Sequence, residues 1–184
     1  MGKVFDAIDA RMREWLQAQR MFFVATAPLS SDGLVNLSPK GLESFAVLGP
    51  HRVAYLDLTG SGIETVAHLR ENGRITLLFC AFEGPPRLLR FYGRGEAVLP
   101  GAADFEELAA LFPHYASTRA VIRVDVTRIA DSCGYGVPFY SYRGERSQLG
   151  DWAASKGEAG LRAYRDANNA RSLDGLPGLP EGDA

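Results

Sequence analysis

Three polar side chains stand at alternate positions in Asn36-Leu37-Ser38-Pro39-Lys40. In an extended segment residues two apart share a face, so Asn36, Ser38 and Lys40 would set two neutral hydrogen-bonding groups and one cation side by side. Such a set suits a phosphate or another anionic ligand held from a strand; a plain solvent-facing strand is the competing reading. A second group follows. Thr59-Gly60-Ser61-Gly62 separates a strand-like run from a helical one. Glycine permits a tight turn and a close approach to backbone. A helix opening there offers unpaired N–H groups and a positive dipole end, which suits a phosphate. Glu64 and Thr65 stand in its first turn.

The turn completes no nucleotide motif. No G-x-x-x-x-G-K-[ST] run exists, which excludes a P-loop. Gly60-Ser61-Gly62-Ile63-Glu64-Thr65 supplies two glycines of a dinucleotide fingerprint but places β-branched Thr65 where the third would let helix and strand pack closely. Glu83 stands at the distance of a ribose-binding acid, so a dinucleotide-binding domain remains an alternative. Cys80 and Cys133 are the only cysteines. Neither C-x-x-C nor H-x-x-x-H spacing is present, so no metal site or disulfide framework is expected. Cys133 lies in the loop Ser132-Cys133-Gly134-Tyr135-Gly136-Val137-Pro138 without a histidine nearby in sequence, which argues against a nucleophilic thiol. His68 falls on the helix after the glycine turn and reads as structural.

The elements that would hold these residues are legible from spacing. Phe5, Ile8, Met12, Trp15 and Leu16 predict an amphipathic helix over 4–19. Met21 to Ala27 and Leu34 to Lys40 read as a hairpin around Ser30-Ser31-Asp32-Gly33. Val53 to Leu58 is a strand; Ile63, Val66, Ala67 and Arg70 mark a helix capped by Gly73. Arg74 to Phe82 is almost wholly apolar and reads as a strand buried on both faces. Arg87 to Leu99 alternates, with Gly93 and Gly95 on one face implying close backbone approach. A short helix around Phe105 to Phe112 and a strand over Arg119 to Ile129 follow. Trp152 to Tyr164 is helical in spacing, and the glycine- and proline-bearing tail after Asn169 frays or packs as an extended arm.

At 184 residues the chain is long enough for one domain with a sizeable core. Its net charge of −2 offers no basic field for nucleic acid. No apolar run approaches the length of a membrane span and no signal-peptide core opens the chain, so a cytoplasmic protein is the default expectation.

Met21-Phe22-Phe23-Val24-Ala25-Thr26-Ala27, Asn36-Leu37-Ser38-Pro39-Lys40-Gly41 and Val53 to Phe82 resemble the pyridoxamine 5′-phosphate oxidase-related family over roughly residues 15 to 130. The most specific part runs from Gly60-Ser61-Gly62-Ile63-Glu64-Thr65 through Glu71-Asn72-Gly73-Arg74. The loop around Tyr135 and the tail Ser172-Leu173-Asp174-Gly175-Leu176-Pro177 resemble one branch of it. The resemblance implies a mainly β fold with flanking helices, a six-stranded FMN-binding split barrel of Greek-key type. Residues 1–20 would pack a helix on the barrel, 21–131 would form it, and 132–184 would add a loop, helix and tail. It further implies a homodimer with flavin at the interface, acting as an FMN-dependent oxidoreductase on a small-molecule substrate. A deazaflavin or haem, or a non-catalytic flavin- or haem-binding role, are the alternatives. Lys40 would contact the flavin ring or phosphate. Ser61, Gly62, Glu64 and Thr65 match the family's phosphate turn, but Glu64-Thr65 replaces its Arg-Lys pair, so Lys40, Arg74 or Arg90 would have to supply charge. Leu88 replaces a glutamine that reaches the ring from the second subunit, and Tyr135 would add aromatic surface. The C-terminus lacks a basic motif and closes with Glu181 and Asp183, so turnover of pyridoxamine 5′-phosphate itself is not expected.

Overall fold

The computed structural model describes residues 2–180; Glu181 and Asp183 lie outside them. The chain runs β1 (Val4–Phe5), α1 (Ala10–Gln17), β2 (Phe22–Thr26), β3 (Asn36–Lys40), β4 (Phe45–Gly49), β5 (Arg52–Leu58), α2 (Glu64–Asn72), β6 (Arg74–Cys80), β7 (Leu88–Val98), α3 (Phe105–Ala109), β8 (Thr118–Ser132) and α4 (Gln148–Asn168). The class is the expected one, mainly antiparallel β with flanking helices. The sheet has eight strands rather than six, in the order β3-β2-β6-β7-β8-β5-β4, with β1 added against β8.

The two ends of that order close on each other without sharing a backbone ladder. Phe22 of β2 lies 5.4 Å from Phe45 of β4 and 5.5 Å from Tyr55 of β5 between ring centroids. Lys40 of β3 reaches across to Asp57 of β5 at 2.8 Å. Side chains bridge where hydrogen bonds stop, which is what makes the barrel split. Inside it Val24, Tyr55, Val66, Leu77, Phe79, Phe91 and Ile122 form one buried cluster, joined by Met12 and Leu16 of α1.

Several expectations are corrected. The helix predicted over 4–19 begins only at Ala10, because the Asp9 carboxylate caps it by accepting from the Met12 N–H at 2.7 Å. Residues 4 and 5 pair instead with Ala130 and Ile129. Strand β6 is not buried on both faces: Ile75, Leu77 and Phe79 face the core, while Thr76 and Leu78 are half-buried on the other side. Helix α4 extends beyond Trp152–Tyr164 at both ends and kinks at Gly157, whose φ of 63° only glycine adopts readily. Gly73 caps α2 with φ 69°, as its position implied. On β7 Gly95 leaves space that Leu69 of α2 fills; an added Cβ would lie 3.1 Å from its Cδ2.

Candidate functional site

Strand β3 borders the split. Antiparallel register places Lys40 opposite Phe22, Ser38 opposite Val24 and Asn36 opposite Thr26. Cross-strand partners share a face, and Phe22, Val24 and Thr26 are buried. The polar residues of β3 therefore point inward and the apolar ones outward, with Val35 and Leu37 exposed by 74% and 65%. The solvent-facing reading of Asn36, Ser38 and Lys40 does not hold.

Inside the split these groups join residues of α2. The Asn36 amide donates to the Thr65 hydroxyl at 3.0 Å and to the Thr26 hydroxyl at 3.2 Å, and accepts from Ser38 at 2.9 Å. Thr26 is also bonded to Nδ1 of His68 at 2.9 Å. Among the described residues His68 Nε2 is buried without a partner, and the buried Tyr55 hydroxyl has the Thr65 hydroxyl as its neighbour, beyond good hydrogen-bond geometry. Burial lowers the His68 pKa, against the opposing pull of Asp174, Glu64 and Glu71. Burial likewise raises Tyr55 well above the ordinary phenol range, helped by Asp57 and opposed by Arg119. The seam thus holds a neutral imidazole and a neutral phenol, with hydroxyl and amide donors at its edge.

Lys40 is the seam's cation, but it is committed. Its ammonium, 19% exposed, shares the fully buried Asp57 with Arg119, which bonds the other carboxylate oxygen at 2.7 Å. Burial pushes the Asp57 carboxyl up, yet Lys40 and Arg119 outweigh it and hold the group at about 2. Arg119 continues to Asn169 at 2.8 Å, and Asn169 donates to the Gly60 carbonyl at 3.0 Å. Arg165 of α4 donates to Thr59 at 2.8 Å. A buried ionic group therefore ties β3, β5, β8 and α4 beneath the glycine turn.

The turn itself is filled by the chain's own atoms. Neither Gly60 nor Gly62 adopts left-handed backbone. A Cβ on Gly62 would lie 2.3 Å from Oε2 of Glu64, so the Glu64 carboxylate folds back over that bare Cα. Its Oε1 accepts from the Leu173 N–H at 3.3 Å. The tail does not fray: Leu179 is buried in the main core, and Asp174 accepts from the Leu34 N–H at 3.0 Å.

Asn36, Ser38, Lys40, Glu64 and Thr65 are thus brought to one seam, with Gly62 beside them and Ser61 exposed. Arg74, Arg90 and Tyr135 are not. Arg74 bonds Asn72 and the Pro28 carbonyl and lines a groove of about 390 Å³ on the outer sheet face with Val35, Thr76 and Tyr92. Arg90 bonds Ser132 at 3.0 Å. Tyr135, 82% exposed, borders a separate cleft of about 950 Å³ with Phe5, Trp15, Arg87 and Cys133. That cleft lies at the opposite end of β8 from Arg119. Residues that sequence reasoning missed are Asp57, Arg119, Arg165, Asn169 and Thr26. Asp57 alone carried a signal, a single acid in the apolar run Val53 to Leu58. Among the described residues no group of three or more His, Cys, Asp or Glu side chains could hold a metal.

The profile of the family described as Pyridoxamine 5′-phosphate oxidase matches residues 8–133. A protein of Aspergillus flavus named as the pyridoxamine 5′-phosphate oxidase family protein ustO is 37% identical over 195 residues, covering 95% of this chain and 77% of its own. The chain belongs to the pyridoxamine 5′-phosphate oxidase family. Solved structures agree in fold. HupZ of Group A Streptococcus superposes with TM-score 0.53 at 24% identity, over 68% of this chain and 99% of that one. A candidate pyridoxamine 5′-phosphate oxidase from Lactobacillus delbrueckii gives TM-score 0.52 at 15% identity, over 69% and 98%.

The seam of this oxidase-family chain suits one part of a flavin and not another. Asn36, Ser38 and Thr65 offer neutral donors and acceptors of the kind that hold a ring edge or a polyol. A phosphate would meet the Glu64 carboxylate where helix N–H groups stand, and the cation on β3 is already paired.

Proposed function

We propose that this chain is a flavin-dependent oxidoreductase, with FMN or a related flavin held along β3 at the contact between two copies. The observation that carries the reading is the half-buried polar row Asn36, Ser38 and Lys40, directed into the split and joined to Thr65, in a chain of this family. A bound flavin would supply the electron transfer. The protein's residues would orient it: Asn36 and Ser38 by hydrogen bonds, the Phe22–Phe45–Tyr55 wall, with Phe45 half-buried at its edge, by excluding water.

The homodimer is supported by the outer face that Val35, Leu37 and Tyr92 share, which is left exposed among the described residues. Pyridoxamine 5′-phosphate is not the proposed substrate. Its own phosphate would need a cationic cluster, since burying such a charge without partners is prohibitive. The tail over this seam contributes Asp174 and Leu173 instead. A smaller or less anionic substrate fits better.

The absorption spectrum of the purified protein tests the reading. A flavin peak pair that diminishes in Ser38→Ala supports it. A Soret band would favour the haem alternative, and failure to bind added flavin in a titration would dismiss the reading.

A further inference from the structure

We propose that the start of α2 reads the hydroxyls of an uncharged polyol rather than a phosphate, so that this chain binds a flavin without requiring its 5′-phosphate. The inference rests on the flavin reading above and specifies which part of the molecule is recognised.

Three observations lead there. First, the Glu64 carboxylate folds over the glycine turn, its Oε2 2.3 Å from where a Gly62 Cβ would be. Glu64 is the first residue of a nine-residue helix, so the carboxylate already answers the positive end that would attract a phosphate. Second, the tail seals the far side. Gly178 backbone lies so close to Ile63 that a Cβ there would come within 2.9 Å of its Cγ1 and Cγ2, and Ile63 is buried. Asp174 brings a second carboxylate to the same rim through the Leu34 N–H. Third, the cations of the region face other partners: Lys40 and Arg119 share Asp57, Arg165 bonds Thr59 and the Thr118 carbonyl, and Arg70 bonds the Gly178 carbonyl.

A phosphate dianion at this turn would face carboxylates while Lys40, Arg119, Arg165 and Arg70 are engaged elsewhere. A hydroxyl would find the reverse. Glu64 Oε1 is bonded to Leu173, and among the described residues Oε2 has no hydrogen-bond partner, so it can accept an O–H in a short charge-assisted bond. Thr65, which accepts from Asn36, turns its own hydroxyl toward the Tyr55 phenol, so the acceptor at the rim is Glu64. A carboxylate oxygen left open at the rim suits a sugar-like chain, as acidic residues suit ribose hydroxyls elsewhere.

The experiment titrates the flavin-free full-length chain with FMN and, separately, riboflavin, following flavin fluorescence. The expected ratio of the two dissociation constants is within about 10-fold, well short of the roughly 10- to 100-fold that a charge-assisted phosphate contact confers. Glu64→Arg is expected to shift the ratio toward FMN by about 10-fold or more, and the exposed Asp174→Asn to shift it the same way by less. A wild-type preference for FMN above about 10-fold that Glu64→Gln and Asp174→Asn leave unchanged would overturn the proposal while leaving the flavin reading intact. A ratio indifferent to Glu64→Arg in a protein that keeps its melting temperature would also overturn it. Binding of neither flavin would overturn both.

Discussion

Asp57 sets the terms at the scale of single residues. A fully buried carboxylate between Lys40 and Arg119 is costly to orphan, and removing one member of such a group costs about 3–5 kcal/mol. Asp57→Asn should therefore lower stability strongly at neutral pH, leaving two cations without their counter-charge. The same residue predicts a pH dependence. Its folded pKa of about 2 lies below the ordinary aspartate value of 3.8, so the stabilisation is complete above roughly pH 4. It is lost as pH falls from 4 toward 2, an effect of about 2 kcal/mol. Chemical denaturation at several pH values would check both points. The wild type should show an acid limb in that window that Asp57→Asn lacks; identical limbs would remove Asp57 from the account. Lys40→Ala should destabilise less, because Arg119 remains. The sequence displayed Lys40 as a candidate ligand contact, since an alternating strand exposes its pattern. It could not display that Lys40 is paired, because its partner lies 17 positions away on a strand that the split brings opposite. Asp57 was visible only as an acid out of place among Val53, Ala54, Tyr55 and Leu56.

Among the elements, the tail carries the clearest test. Segment 169–179 folds back so that Gly178 donates to the Ala170 carbonyl and Leu179 to that of Asn169, both at 2.9 Å. A Cβ at Gly178 would lie 2.2 Å from the Asn169 carbonyl oxygen, which is backbone and cannot swing aside. Gly178→Ala should consequently cost about 1–3 kcal/mol, the usual range for overpacking, and lower the melting temperature. Gly62→Ala makes a useful contrast. Its Cβ would meet the end of the Glu64 side chain, which can rotate away. Thermal melts of the two variants should separate them, and equal losses would contradict the tail's tight seating. Elements whose evidence is local were legible: the β2–β3 hairpin, α2 with its Gly73 cap, and the close backbone approach on β7, where a Gly93 Cβ would lie 2.4 Å from the Asp125 carbonyl oxygen. Three features were not. Helical spacing from Phe5 onward concealed that Asp9 caps the helix and that residues 4 and 5 pair with β8. Alternation in β3 gave two faces but not which is inside; that depends on register with Phe22, Val24 and Thr26. The tail's seat depends on Ile63 and Asn169, far from it in sequence or buried, and no local pattern announces it.

At the scale of the whole molecule the split barrel leaves one half of its sheet bare. The outer side of β3, β2, β6 and β7 presents Val35, Leu37, Leu78 and Tyr92, bordered by Arg74 and the groove of about 390 Å³. Contiguous apolar surface of this kind is uncommon on monomers and marks association. A second copy is the proposed occupant, in keeping with the dimer inferred above, and a stable pairing would bury on the order of 2,000 Å². Leu37 is the residue to change. Its side chain points away from the core, opposite to Ser38, so a charge there should leave the fold intact. At an interface centre the same charge would be buried without a partner, which pairing cannot tolerate. Light scattering at micromolar concentration should give twice the chain mass for the wild type and a single-chain mass for Leu37→Asp, with unchanged circular dichroism. If β3 also lines the cofactor contact between copies, Leu37→Asp should lose flavin together with its partner, although Leu37 faces away from Asn36 and Ser38. A monomeric wild type, or a Leu37→Asp dimer of undiminished stability, would remove this face from the interface and leave the seam to act within one chain.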